Sequence, residues 1–229
     1  MRTSPAKKHF QHAQAAQRQS IESPVRADAT AYELMLAKLA EDRRRLHDIQ
    51  SIERRAEVKR ELLPDYEAWV GGALEGDHGV QDDVLMTIMV WRIDVGDLAG
   101  ALKIARYAIQ HKLAMPDQYR RSAGCLIAEE FADHALRLDA IAPDITGRLQ
   151  DADELTATED MPDQVRAKLL KAIGHGLSQT ADAVDQAEKP AYLQSALDHL
   201  KRAIGLHEKV GVKKDIERIE REIKHSASA

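Results

Sequence analysis

The amino-acid sequence predicts an all-α, multi-helix protein with one long N-terminal helix, a central apolar helical core and a C-terminal helical hairpin. Three observations carry that expectation. Aromatic residues make up 4% of the 229 positions and charged residues 31%, whereas strands draw on aromatic and β-branched side chains. Apolar residues recur at helical spacing through much of the chain. The breakers are few, 12 Gly and 7 Pro, and several fall between the periodic windows. A hydrophobic fraction of 44% can fill a core, which does not fit wholesale disorder. The length suits one large domain or two small ones.

Residues 1–29 are polar, rich in Gln, Ala and His, and hold Pro5 and Pro24. They read as a mobile basic arm with at most a short helix around 9–19. A long basic helix is expected over 30–63. Thr30 stands as its cap, Glu33 is the reciprocal acid of a capping box, and Pro64 stops it. Met35, Leu39, Leu46, Ile49, Ala56 and Leu63 share a heptad seam that Asp42, Glu53 and Arg60 interrupt. Such a seam suits packing against sister subunits or the body better than a free-standing coiled coil.

Residues 64–141 read as the helical core. A short helix at 65–74 is loosened by Gly71, Gly72 and Gly76. Residues 81–93 are apolar nearly all round and are expected to be buried. Gly96 ends that helix, and Asp97 caps the next, 98–113. Residues 122–141 form an amphipathic helix bounded by Pro143. The stretch 142–161 mixes Pro, Asp, Gly and Thr and reads as a linker. The C-terminal region, 162–225, opens at Pro162 with a helix to about 174. It closes with a hairpin, 191–210 and 212–224, turned at Gly211. Residues 226–229 are a frayed tail.

Net charge is −5, but it is unevenly spread: residues 1–60 hold 13 of the 33 Lys and Arg and 8 of the 38 Asp and Glu. A basic first quarter on an acidic body fits one end that meets a polyanion; a solvated helix face is the plainer alternative. The single cysteine, Cys125, excludes an internal disulfide framework and a Cys-based zinc finger. The longest apolar stretch, 84–91, is interrupted by Thr87 and is too short to span a bilayer. The N-terminal MRTSPAKKHFQHAQAA lacks the apolar core of a secretory signal, so no membrane partner and a cytoplasmic location are expected.

No G-x-x-x-x-G-K-[ST], G-x-S-x-G or H-E-x-x-H occurs, and neither a catalytic residue nor a cofactor is expected. Acids do cluster, at Asp82-Asp83, Asp94 with Asp97, Glu129-Glu130 and 151–154. A metal-dependent nuclease needs several acids converging on one or two cations, whereas neighbours on a helix point about 100° apart. Helix N-termini also attract acids through the dipole alone. A nuclease built on Asp82, Asp83 and Asp97 therefore stands as a rival, and no metal site is expected. His111, His134, His175 and His199 have no ligand-type partner at i, i+4. Cys125, Trp69 and Trp91 read as core.

Arg43, Arg44 and Arg45, with Arg54 and Arg55, decorate the expected long helix, and Lys7, Lys8, Arg18 and Arg26 dot the arm. Spread cations on an extended element suit phosphate contact, and these nine are the candidate DNA-binding residues. An echo between ALKIARYAI from Ala101 and ALDHLKRAI from Ala196 suits close helix packing. It supports a second rival, a helical-hairpin adaptor that grips a protein.

The run KRELLPDYEAWVGGALEGDHGVQDDVLMTIMVWRIDVGDLAGALKIARYAIQHKLAMPDQYRR from Lys59, with ELTATEDMPDQVRAKL from Glu154, GVKKDIERIERE from Gly211 and the N-terminal TSPA and YELMLAKLAEDRR, resembles the small terminase subunit of peduovirus-type tailed phages. The resemblance implies recognition of concatemeric double-stranded viral DNA by a homo-oligomeric ring. It also implies delivery of that DNA to a large subunit holding the ATPase and nuclease, in the cytoplasm of the bacterial host. The endonuclease label some members carry is then a property of the complex, and this chain is expected to be non-catalytic by itself.

Overall fold

The computed structural model describes residues 4–18 and 25–226, with the side chains of residues 15–30 outside that description. Among the described residues there are eleven α-helices and no strand. The chain divides into two compact units, Met1–Ala123 and Gly124–Ala229.

The first unit holds α1 (Pro5–Arg18), α2 (Val25–His47), α3 (Ile52–Leu62), α4 (Glu67–Gly76), α5 (Asp83–Asp94) and α6 (Leu98–Gln110). Helix α5 is its centre. Every residue from Val84 to Ile93 is buried, as its apolar circumference requires. Asp82 starts α5 by accepting from the Leu85 amide at 3.0 Å, and Asp97 starts α6 by accepting from Gly100 at 2.8 Å. Tyr66, fully buried, stands edge-on to Trp91 at 5.9 Å and donates to Asp42 at 2.6 Å.

That bond explains the interrupted seam. Asp42 is buried with Met35, Leu39 and Leu46 because Tyr66 and Lys38 satisfy it, Lys38 at 2.7 Å and also bridging to Asp65 at 3.2 Å. A buried carboxylate paired on both sides anchors α2 to the start of α4. The acidic surroundings and burial push the Tyr66 hydroxyl well above its ordinary range, with desolvation the larger cause.

Three expectations need correction. The single helix over 30–63 is two helices. Residues 48–51 break it, because Ser51 is extended (φ −66°, ψ 128°) and its hydroxyl accepts from the Arg54 amide, starting α3 afresh. Helix α2 also begins at Val25, so Thr30 is not its cap. The arm expected to be mobile holds α1, packed along α4 and α2. His12 reaches Glu75 at 3.2 Å, and a Cβ at Gly71 would meet the His12 ring at 3.2 Å, so a glycine permits the approach. Residues 1–3, 19–24 and 227–229, the last holding most of the expected tail, lie outside the described residues.

The second unit holds α7 (Ala123–Leu136, whose first residue closes the first unit), α8 (Pro143–Leu155), α9 (Asp163–Ala183), α10 (Lys189–Leu206) and α11 (Lys213–Ser226). The stretch 142–161, expected as a linker, is mostly α8, with Leu149 and Ala152 buried. Pro143 starts this helix at its first position, where a missing N–H costs nothing. Helices α9 and α10 pack closely. A Cβ on Gly174 would lie 2.6 Å from Leu200 and 3.2 Å from the Ala196 carbonyl. Helix α11 folds back after Gly211, held by Lys189–Glu222 at 2.6 Å, Lys201–Glu220 at 2.7 Å and an Arg218–Ser178 hydrogen bond at 2.8 Å. His175 on α9 lies 3.3 Å from Asp215. Burial pulls its pKa down against the pull of that carboxylate.

Candidate nucleic-acid interface

The break at 48–51 places the C-terminal turn of α2 next to the first turn of α3, joined by a four-residue turn. The side chains of Arg43 and Arg44 are exposed and make no hydrogen bond or ion pair among the described residues. Arg45 is exposed and bridges to Glu61 of α3 at 3.4 Å. On α3, Arg54 pairs with Glu57 at 2.7 Å, and that bond raises its pKa further. Arg55 donates to the Gln50 carbonyl at 3.2 Å, tying α3 to the turn, while its Nε lacks a partner. Exposed pairs such as Arg45–Glu61 and Arg54–Glu57 are weak, so a phosphate competes for these guanidinium groups at little expense.

Dipole effects separate structural from functional charge. Arg44, Arg45 and His47 occupy the last turn of α2, where positive charge is favourable for the helix itself. Arg54 and Arg55 sit near the N-terminus of α3, where positive charge opposes the dipole. Helix stability explains the first set and not the second.

Other basic residues divide differently. Lys59 is engaged by Asp94, and Arg60 donates to the Val95 carbonyl at 3.3 Å. Lys7 and Lys8 are exposed on α1, and Lys7 borders an apolar groove between α1, α2 and α4. The side chains of Arg18 and Arg26 lie outside the described residues. Arg43, Arg44, Arg45, Arg54 and Arg55 therefore flank one turn, with Glu61 acting on both Arg45 and Arg54, whereas Lys7 borders the groove.

Sequence reasoning passed over Ile52. It is the first residue of α3 and is 78% exposed beside these arginines. Its signal was a lone apolar residue directly after a Ser cap.

Two of the three acids of the rival nuclease reading, Asp82 and Asp97, are engaged in holding the fold. Asp82 is fully buried, and besides capping α5 it accepts from the Trp69 indole at 2.9 Å. Asp97 caps α6 and pairs with Arg92. Asp83 accepts from Gln81 at 3.1 Å. Among the described residues no three His, Cys, Asp or Glu side chains are grouped to hold a metal ion. Trp69 and Trp91 are core residues, 1% and 4% exposed.

The family model described as phage small terminase subunit matches residues 36–164. The chain belongs to the phage small terminase subunit family. This small terminase subunit is also 48% identical over 223 residues to the protein named "Terminase, endonuclease subunit" of Escherichia phage P2, an alignment covering 97% of this chain and 86% of the relative. No solved structure matches it. Its function is in phage DNA packaging. The family match contains all five grouped arginines and stops short of Lys7, Lys8, Arg18 and Arg26. No helix among the described residues is long and apolar enough to cross a membrane.

Proposed function

We propose that this small terminase subunit binds double-stranded viral DNA through the adjoining ends of α2 and α3, assembles as a homo-oligomeric ring, and presents the DNA to the large ATPase and nuclease subunit in the host cytoplasm. The observation that carries the reading is the meeting of two unpaired arginines, Arg43 and Arg44, with two that oppose their own helix dipole, Arg54 and Arg55. In this reading these four and Arg45 form the DNA-facing set.

Phosphate contacts of this kind position a protein on a duplex and carry little sequence information. Ile52, projecting from the first turn of α3, supplies an apolar group suited to a thymine methyl in the major groove. One subunit's few contacts bind loosely, and repetition around a ring multiplies them without any new contact. With no P-loop in the sequence, the energy for translocation comes from the partner subunit.

The name of the phage P2 relative favours a second reading, an intrinsic endonuclease. The capping roles of Asp82 and Asp97 argue against it, so the subunit recognises DNA and the large subunit cuts. Light scattering of the purified full-length chain, with and without duplex DNA bearing the packaging site, tests the proposal. A discrete oligomer that shifts with DNA supports it. A monomer indifferent to DNA, or DNA nicking by this chain alone with magnesium or manganese that Asp83→Asn abolishes, overturns it.

A further inference from the structure

Between α1, α2 and α4 lies a groove of about 250 Å³. Met35 and Trp69 line it as buried residues, Phe10 and Leu34 as residues 59% and 66% exposed, with Lys7 and with Lys38, which is already paired with Asp42 and Asp65. Small-molecule sites run to roughly 300–1,000 Å³, so this groove is sized for one or two protein side chains. Single exposed apolar residues are ordinary. Here two of the four large ones among the described residues line one groove. Helix α1 carries Lys7 and Lys8 and not one Asp or Glu. Apolar walls offer nothing to a phosphate backbone, and the cations disfavour a basic partner. The fitting occupant is an apolar anchor flanked by acids.

The chain carries such a surface on its second unit. Residues 151–163 hold six Asp and Glu and no Lys or Arg. Met161 is half-buried, between exposed Asp160 and Asp163, and these two acids form no ion pair among the described residues. Met161 and both acids line a shallow concavity with Leu170 and Leu206, which Arg202 and Arg166 also line, Arg166 being held by Asp153 at 2.8 Å.

We propose that the α1–α2–α4 groove of one copy receives the 159–163 turn of a second copy, with Met161 against Phe10 and Leu34 and the acids toward Lys7 and Lys8. The inference rests on the ring reading and names its contact. Groove and turn are different patches, so the contact is heterologous, and a succession of them closes into a ring when the rotation per subunit allows. Opposite charge on the two patches favours their encounter and disfavours groove on groove or turn on turn.

The test uses light scattering of full-length proteins. One is a groove variant, Leu34→Glu, with Phe10→Ser as a second version; the other is a turn variant, Asp160→Lys with Asp163→Asn. All four positions are exposed, and circular dichroism checks that helicity is kept. Wild type is expected to be a closed oligomer and each variant alone a monomer. An equimolar mixture is expected to be a dimer, since one intact groove meets one intact turn. If wild type is itself a monomer, the ring reading fails and this contact with it. If wild type is a ring and both variants remain rings, or the mixture stays monomeric, the ring stands and this contact is wrong. A Leu34→Glu ring that no longer binds the purified large subunit would assign the groove to that partner, and would equally overturn the proposal.

Discussion

Asp82→Ala is expected to destabilise the first unit by about 2–4 kcal/mol, the sum of a lost N-cap at about 1 kcal/mol and an indole N–H left buried without a partner at about 1–3 kcal/mol. Both contributions are read directly from the fold. Asp82 is fully buried, one carboxylate oxygen accepts from the Leu85 amide at 3.0 Å, and the other accepts from Trp69 at 2.9 Å. For a unit of this size the loss amounts to a fall in melting temperature on the order of 10 °C. Asp83→Ala is the matched control, one residue along and bonded through its side chain, among the described residues, only to the exposed Gln81. It should change stability by less than about 0.5 kcal/mol. The assay is thermal and urea unfolding of the full-length variants, followed by near-ultraviolet signals of Trp69 and Trp91, which both report on the first unit. An Asp82→Ala protein as stable as wild type would refute the argument that this acid is retained to hold α4 to α5. It would return Asp82 to the list of candidate metal ligands.

Tyr66→Phe removes one of the two hydrogen-bond donors to buried Asp42 and should cost about 1.5–3 kcal/mol in urea unfolding, the range for hydrogen bonds to charged groups. Gly174→Ala drives a methyl group against Leu200 and the Ala196 carbonyl. The overpacking loss, about 1–3 kcal/mol, should exceed the gain in helix propensity of about 1 kcal/mol, so the second unit should unfold earlier. The folded-state pKa of His175 is lowered by burial, with Asp215 opposing and Lys171 and Arg218 adding to the shift. The unfolded chain therefore binds the proton more readily, and the stability this site contributes is full above the ordinary histidine pKa and is lost as pH falls below it. Unfolding of the second unit followed from pH 8 to pH 5 should show that loss, and His175→Gln should flatten it.

Much of the fold was legible because local signals and tertiary demands agree. The apolar circumference of α5 could only mean burial, and Asp97 was readable as a cap from its place after Gly96. The split at 48–51 was not legible, since Leu46 and Ile49 carry the apolar seam straight across it and neither Gly nor Pro marks it. Its sole signal was Ser51, without an acid three residues on to complete a capping box. Helix α8 was hidden because Pro143 looks like a breaker and acts as a starter. Docking of α1 was invisible because it relies on a glycine facing a histidine, Gly71 and His12, instead of a periodic apolar stripe. At the candidate interface the arginines were plain in the sequence, but their partners were not. Glu61 lies 16 residues from Arg45 and Asp94 lies 35 from Lys59, so only the fold separates committed cations from available ones. Ile52 required the helix start to be known before its exposure had meaning.

DNA contact at the junction of α2 and α3 is tested by a salt titration of binding to duplex DNA carrying the packaging site, comparing wild type with Arg43→Glu combined with Arg44→Glu. Each phosphate contact adds about 0.9 to the slope of log K against log salt. Loss of two contacts should flatten the slope by about 2 per bound subunit and shrink the affinity lost between 50 and 200 mM salt by roughly 12-fold. Unchanged affinity and slope in the variant, with the oligomer intact, would contradict the assignment of this surface to DNA.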